Sequence, residues 1–279
     1  MDSTDDNKFS IKRMDGIGGL KGLGYADKPT RCNSFNETYE GIIFPFNLSP
    51  ERNIRLYHTI YCRMLDLEYM GTEDLEFGNQ GLVYRIRKDA FTHNEENSCL
   101  CPKGQCPNGI SDVSSCFFTL PLGLSLAHFL YANDSSLTER IEGLKPNETL
   151  HGSRFLIDKE VGVSLETSFA IQYNLMVGDV QLNTAKPFAN MVVPFVWIKV
   201  VQPPLPDDVM MNVKVLNLYM PKVLTAMEVL FLFIGLVLII FSYRKSTSLH
   251  FNRKMDYRNP TVRNLMNTNI PLMVDSEKC

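Results

Sequence analysis

Residues 161–177, VGVSLETSFAIQYNLMV, alternate between apolar side chains and mostly small or polar ones, and this pattern decides the fold class. Successive side chains of a β-strand point to opposite faces, so a period of two predicts a long strand with one apolar face. Periodicity does not distinguish a packed core from the lining of an apolar cavity. The candidate core or cavity-lining residues are Val163, Leu165, Phe169, Ile171, Tyr173, Leu175 and Val177.

Shorter stretches with strand character lie on both sides of this segment. Residues 65–69 and 82–86 alternate in the same way, and residues 192–200 form an apolar run that Pro194 interrupts. Proline cannot donate a ladder hydrogen bond, so Pro194 predicts an edge strand or a bend. Several strands with little helical periodicity predict a mainly β domain, which we expect to be barrel-like.

The chain then carries a long apolar run, VLTAMEVLFLFIGLVLIIFSY, at residues 223–243, with Glu228 as its one charge. A helix of this length would span about 31 Å, the thickness of a bilayer core. A buried core helix is the alternative, but the run is apolar on every side and Arg244 and Lys245 follow it at once. We therefore predict a membrane-spanning helix.

Charge predicts the orientation of that helix. Residues 244–279 contain seven Lys or Arg and three Asp or Glu, a net charge of +4. Basic segments beside a span stay in the cytoplasm, so the part before the span is expected in the lumen of an organelle or outside the cell. The predicted organisation is a polar segment at 1–11, an ectodomain at 12–222, the span at 223–243 and a basic cytoplasmic tail at 244–279.

The first residues, MDSTDDNKFS, are polar and acidic, and they contain no apolar stretch that could start translocation. More than two hundred residues precede the predicted span, and moving them across a membrane without such a signal is uncommon. We therefore expect this chain to be a fragment or an alternative product of a longer protein.

Asn-x-Ser/Thr triplets, the acceptor sites for N-glycosylation, all fall on the predicted outer side. None lies in the basic tail. This distribution is typical of a glycosylated ectodomain. The candidate acceptors are Asn36, Asn47, Asn133 and Asn147.

The stretch NSCLCPKGQC at residues 97–106 contains three cysteines, which could form a zinc knuckle, a redox pair or disulfides. The spacing fits neither Cys-x2-4-Cys zinc sites nor Cys-x-x-Cys redox pairs. An even number of cysteines precedes the span, so an oxidising compartment predicts three bridges. A turn between Cys101 and Cys106 would suit a local bridge, and the pairings of the other four cysteines stay open. Cys279, the last residue, has no assigned role. The six are Cys32, Cys62, Cys99, Cys101, Cys106 and Cys116.

Other function classes find little support in the sequence. The formal charge is −3 and no basic patch is interleaved with aromatic residues, so no nucleic-acid partner is expected. His128 and His151 have no serine or cysteine nucleophile in a recognisable motif, and structural roles are expected for both. We predict no enzymatic activity, no cofactor and no metal site.

Several motifs follow one another in order ahead of the apolar run. They are Cys32, GIIFPF at 41–46, YCR at 61–63, SCLC at 98–101 with Cys106 and Cys116, LGLSLAHFLYA at 122–132, IEGLKPNETLH at 141–151, residues 158–162 and the strand ending in IQYNLMV. Together, over about residues 12–243, they resemble the class B scavenger receptor family. The resemblance implies an antiparallel β-barrel ectodomain with a hydrophobic tunnel between two membrane spans, of which this chain would hold the second span and part of the barrel.

The resemblance also implies a disulfide framework, which pairs Cys32 with Cys99, Cys62 with Cys116 and Cys101 with Cys106. The implied function is a plasma-membrane receptor that binds lipids or lipoproteins and passes hydrophobic cargo through the ectodomain to the bilayer. Self-association is a further expectation. A lysosomal or endosomal receptor for a protein cargo is the first alternative, and a hydrolase or an adhesion ectodomain without lipid transport are the others.

Overall fold

The computed structural model describes residues 8–75, 78–102, 104 and 106–258. The chain divides into two compact units, Met1–Tyr219 and Met220–Cys279. Within the described residues, the first unit is mainly sheet and the second consists of the helix Met220–Arg258. Residues 1–7 of the polar segment, residues 259–279 of the tail and Cys279 itself lie outside the described residues.

One nine-stranded sheet dominates the first unit. Its order is β1-β2-β3-β4-β7-β8-β6-β5, with β9 paired to β8. The β1–β2 pair is parallel and the other pairs are antiparallel. The strands are β1 (Thr38–Tyr39), β2 (Ile54–His58), β3 (Arg63–Asp74), β4 (Gln80–Ile86), β5 (Ser111–Asp112), β6 (Leu122–Leu126), β7 (Arg154–Asp158), β8 (Ser164–Val177) and β9 (Met191–Val201).

These strands confirm the mainly β prediction but do not confirm the barrel-like one. In the part of the chain that the structure describes, the sheet is mixed and open, and no pairing joins its outer strands into a closed ring. A barrel closes only when its first and last strands pair, and here β1 and β9 each have one neighbour.

The short alternating runs become β3 and β4 as predicted. Leu65 and Leu67 on β3, with Leu82, Tyr84 and Ile86 on β4, are buried in the main core. Alternate residues of a strand share one face of the sheet, and in β3 and β4 that face packs into the main core. This packing explains the period of two in both segments.

The long alternating segment becomes β8, but its apolar residues do not share one face throughout. Leu156 pairs with Glu166 while Ile157 pairs with Ser164, so Leu165 is the extra residue of a β-bulge. The bulge turns Ser164 toward the buried side and leaves Leu165 half-buried. The prediction of one continuous apolar face is therefore wrong before Thr167.

Strand β9 is an edge strand among the described residues, which confirms the interpretation of Pro194. Tyr173 pairs with Val196 and Asn174 with Pro194, so the register shifts at Phe195. Phe195 is 77% exposed at this bulge. Proline is tolerated there because no strand pairs with the outer edge of β9 in the described residues, so no backbone N–H is needed for a ladder hydrogen bond on that side.

Helical structure is concentrated near the end of the described chain. Helix α1 is a single turn, Glu148–His151, and α2 runs over Asp207–Lys214. A short π-helical stretch, Val215–Tyr219, leads into α3, Met220–Arg258. Within the described residues, one helical run, Asp207–Leu249, has the length and apolar composition needed to cross a membrane, and it includes the predicted span at 223–243.

Replacing Gly162 by alanine is expected to lower the free energy of unfolding by about 2 to 4 kcal/mol. Its φ is +72°, and a Cβ there would lie 2.3 Å from the carbonyl oxygen of Phe44. Denaturant unfolding of the full chain measures the change. Gly24 has the same φ of +72° with nothing within 4 Å of a Cβ, so Gly24→Ala is the matched control. Equal losses in both variants would show that the contact with Phe44 contributes nothing.

Candidate ligand-binding cleft

An apolar cleft of about 440 Å³ opens between β2, β7, β8 and the proline-rich segment that follows β9. This volume falls within the range of small-molecule sites, which are mostly apolar with a few polar groups. The cleft exists because β7 and β8 present large apolar side chains on the same face of the sheet. Its principal apolar residues are Ile42, Leu56, Ile60, Tyr61, Phe155, Phe169, Val200 and Leu205.

Aromatic rings form the base of this cleft. Phe169 contacts Phe155 and Tyr61, with ring centroids 5.5 Å apart in each pair. Phe155 pairs with Thr167, two residues before Phe169, so all three side chains lie on one face. Burial, with a smaller contribution from Tyr173, raises the pKa of Tyr61 to about 12. The Tyr61 hydroxyl is therefore neutral at physiological pH, and the base of the cleft carries no charge from it.

The rim of the cleft combines exposed apolar and polar groups. Ile42 is 64% exposed, and Ile60 is also exposed. Glu40, His58 and Gln202 supply polar groups to the lining. Gln202 donates from its amide side chain to the Ser164 carbonyl over 2.9 Å, which holds the segment after β9 against β8. Such a site can accept an apolar chain with a polar head at the opening.

The seven candidate core or cavity-lining residues are divided among different environments. Phe169 lines the cleft and belongs to the main core, and Ile171 and Tyr173 pack in the same core. Leu175 is exposed, and Val177 lines a second cavity of about 650 Å³. Val163 and Leu165 are half-buried near the β8 bulge, and neither lines the cleft.

Three disulfides join the six cysteines of the first unit. Cys32 bonds to Cys99 with Cα atoms 5.8 Å apart, Cys62 to Cys116 at 6.4 Å, and Cys101 to Cys106 at 6.0 Å. All three separations lie in the normal range for disulfides. One bridge therefore ties residues 97–106 to Cys32, and another ties Cys116, in the turn after β5, to Cys62 just before β3. The third closes a turn within residues 97–106.

Arg63 is a buried residue whose structural role was not predicted from the sequence. It is 2% exposed, and its Nη2 donates to the carbonyl oxygens of Leu100, at 3.4 Å, and of Asp112. Burial lowers the pKa of the guanidinium to about 10, which still leaves it charged at neutral pH. Its position beside Cys62 in the motif YCR was the available signal. Arg63 thus connects β3 to Leu100 and to β5, next to the segment that the Cys62–Cys116 bridge also ties to the start of β3.

The four candidate glycosylation sites are all exposed: Asn36, Asn47, Asn133 and Asn147. Asn147 also caps α1, because its Oδ1 accepts hydrogen bonds from the amides of Thr149 and Leu150 at 2.9 and 3.1 Å. A glycan on Nδ2 would leave that oxygen free to cap the helix. Glycosylation of these sites stays a prediction.

Comparison with known proteins relates this chain to one protein family. A model of the CD36 family matches residues 3–246. The chain is 29% identical over 240 residues to scavenger receptor class B member 1 of Bos taurus, covering 84% of this chain and 45% of that protein. It is 28% identical over 170 residues to sensory neuron membrane protein 1 of Heliothis virescens, covering 60% of this chain and 32% of that protein.

A third relative is protein peste of Drosophila melanogaster, which is 25% identical over 163 residues. That match covers 56% of this chain and 29% of protein peste. The chain thus spans less than half the length of each of these three relatives.

Proposed function

Because the chain belongs to the CD36 family, we propose that it forms part of a scavenger-type membrane receptor that binds lipids or lipoproteins. The names of its relatives include a scavenger receptor and a membrane protein. The observation that carries the proposal is the apolar cleft with its aromatic base and exposed apolar rim. Its ligands are apolar chains with a polar head, and transfer of such cargo involves no covalent step.

The physical basis of transfer is burial of apolar surface, worth about 25 cal/mol per Å². A methylene group gains similar free energy in an apolar cleft and in a bilayer, so cargo can move between them reversibly.

We propose that the cleft is one end of a longer apolar path through the ectodomain. Val196 and Ile198 on β9 pair with Tyr173 and Ile171, so their side chains lie on the same side of the sheet as the core. Both are nevertheless exposed. Their exposure supports an apolar path and a barrel wall that continue beyond the sheet described above.

The proposed arrangement places residues 12–222 outside the cell, the helix at 223–243 in the plasma membrane and the basic tail in the cytoplasm. The candidate spanning helix, Asp207–Leu249, and the charges of Arg244 and Lys245 support this arrangement. A lysosomal or endosomal membrane would preserve the same orientation, with the ectodomain in the lumen.

Replacing Ile42 by aspartate is expected to weaken binding of a fluorescent long-chain fatty acid at least about tenfold. Ile42 is largely exposed at the rim, so the change introduces a charge beside the ligand path at little cost in stability. Titration of the full chain in nanodiscs measures the dissociation constant. The aspartate also repels the ligand carboxylate, so a neutral monoacylglycerol is tested in parallel and should show a loss too.

Leu182→Asp is the matched control, since Leu182 is 66% exposed and does not line the cleft. It should bind both ligands as the unmodified chain does. Unchanged affinity in Ile42→Asp, or equal losses in the two variants, would contradict ligand binding in this cleft.

A further inference from the structure

Two histidines far apart in sequence stack on each other in the first unit. The rings of His128 and His151 lie 4.2 Å apart, with an angle of 8° between their planes. His128 lies in the turn after β6, and His151 is the last residue of α1. The ring of Trp197 on β9 lies edge-on to both, with centroids 6.1 and 5.6 Å away. These contacts hold the α1 segment against the outer strand of the sheet.

The hydrogen bonds of both imidazoles require an unprotonated Nδ1. The amide of Lys145 donates to Nδ1 of His128 over 3.2 Å, and the amide of Asn147 donates to Nδ1 of His151 over 3.1 Å. A nitrogen that accepts from a backbone N–H cannot also carry a proton. Each ring is therefore neutral in this arrangement, with its proton on Nε2. Protonation of either ring would break its bond to the segment that contains Lys145 and Asn147.

The surroundings of the pair also disfavour positive charge. His151 is 6% exposed, and burial, then His128, then Lys199 on β9 lower its pKa below the ordinary value of 6.5. On α1 the nearest acid is Glu148, whose carboxylate lies 3.4 Å from Arg85 and 3.6 Å from Lys88.

The turn that holds His128 is joined to β8 by a neutral group. The His128 amide donates to Oε1 of Gln172 over 2.9 Å. Gln172 in turn donates to Asn174 over 2.8 Å, within a buried polar row of β8. β8 thus fixes the position of His128 without supplying a charge that could stabilise an imidazolium.

We propose that His128, His151 and Trp197 form an acid-released latch, which holds residues 143–152 on the edge of the sheet at neutral pH and frees them in acidic compartments. Protonation would place two like charges in a 4.2 Å stack and remove both amide hydrogen bonds. The released segment carries α1 and the Asn147 glycosylation triplet. Its departure would expose more of Trp197, which is already 43% exposed, and change the outer surface that a ligand or partner meets.

The direction of the pH dependence follows from the His151 environment. Its pKa is lower in the folded state than in the unfolded state, so the unfolded or released form binds more protons. The latch therefore contributes stability that is fully present above the ordinary pKa of 6.5 and is lost as the pH falls below it.

Trp197 makes the latch directly measurable, because it is the one tryptophan in the sequence. The fluorescence of the full chain in nanodiscs is expected to change in a titration with a midpoint below 6.5, the ordinary histidine value. Hydrogen–deuterium exchange, corrected for the intrinsic pH dependence, should show about tenfold less protection of the Lys145 and Asn147 amides at about pH 5 than at about pH 7.5. This second measurement needs no variant.

His128→Gln combined with His151→Gln should abolish the fluorescence transition, because glutamine can accept the amide bonds but takes up no proton. His93→Gln is the control, because the ring of His93 bonds to the Ile110 carbonyl over 2.6 Å and takes no part in the stack, and it should leave the transition intact. Persistence of the transition in the double variant would overturn the latch. Exchange rates at Lys145 and Asn147 that stay unchanged between the two pH values would also overturn it.

Discussion

Replacing Cys62 and Cys116 together by alanine is expected to lower the free energy of unfolding by about 4 kcal/mol. The bridge joins residues 54 positions apart and therefore restricts a large loop of the unfolded chain. Both cysteines also pack in a small apolar cluster with Leu20, Phe35 and Tyr57, so alanine leaves a cavity in addition. Denaturant unfolding of the full chain, with the other bridges intact, measures the loss.

Cys101→Ala with Cys106→Ala is the matched control for that experiment. These residues are separated by 5 positions, so loop-closure entropy predicts a loss of only about 2 kcal/mol. A loss for the short bridge as large as that for Cys62–Cys116 would contradict the loop-based account of how the framework stabilises the sheet.

Replacing Arg63 by alanine is expected to lower the free energy of unfolding by about 3 to 5 kcal/mol. The change removes the donor to the carbonyl of Leu100 and to that of Asp112 on β5, and it leaves a cavity in a buried region. Arg63→Met should recover the volume but not the hydrogen bonds, so it should regain less than half of the loss. Exchange of amides near Leu100 and Asp112 should accelerate in both variants, because these residues lose their hydrogen bonds to Arg63 on β3.

Arg154→Ala provides the comparison for Arg63. Arg154 forms ion pairs with Glu73 at 2.6 Å and Glu166 at 3.0 Å, but all three side chains are substantially exposed. Exposed ion pairs contribute little to stability, so Arg154→Ala is expected to lower the free energy of unfolding by no more than about 1 kcal/mol. If Arg154→Ala cost as much as Arg63→Ala, burial would not be the reason for the importance of Arg63.

The sequence predicted the features that depend on local periodicity. The alternation at residues 65–69 and 82–86 corresponds to β3 and β4, and Pro194 marked the edge strand β9. The long apolar run at 223–243 lies within the candidate spanning helix. Each of these features is set by neighbouring residues, so a single sequence carries the necessary information.

Features that depend on pairing between distant segments could not be predicted in this way. The bulge at Leu165 arises from the register between β7 and β8, and the apolar alternation of β8 continues through it without a break. The stack of His128 on His151 brings together residues from two segments, and each residue alone looked structural. The cleft likewise depends on Phe155 and Phe169 meeting Tyr61 from another part of the sheet.

The central claim is that an apolar chain enters the cleft above Phe169, and photochemical labelling tests it most directly. The full chain in nanodiscs would be exposed to a fatty acid with a photoreactive group at its chain end, and labelled peptides would be identified by mass spectrometry. We expect labels on peptides that contain Ile60, Tyr61 or Val200, reduced by excess unlabelled fatty acid and by Ile42→Asp. Labelling confined to residues 223–243, with no label on the cleft peptides, would contradict the account.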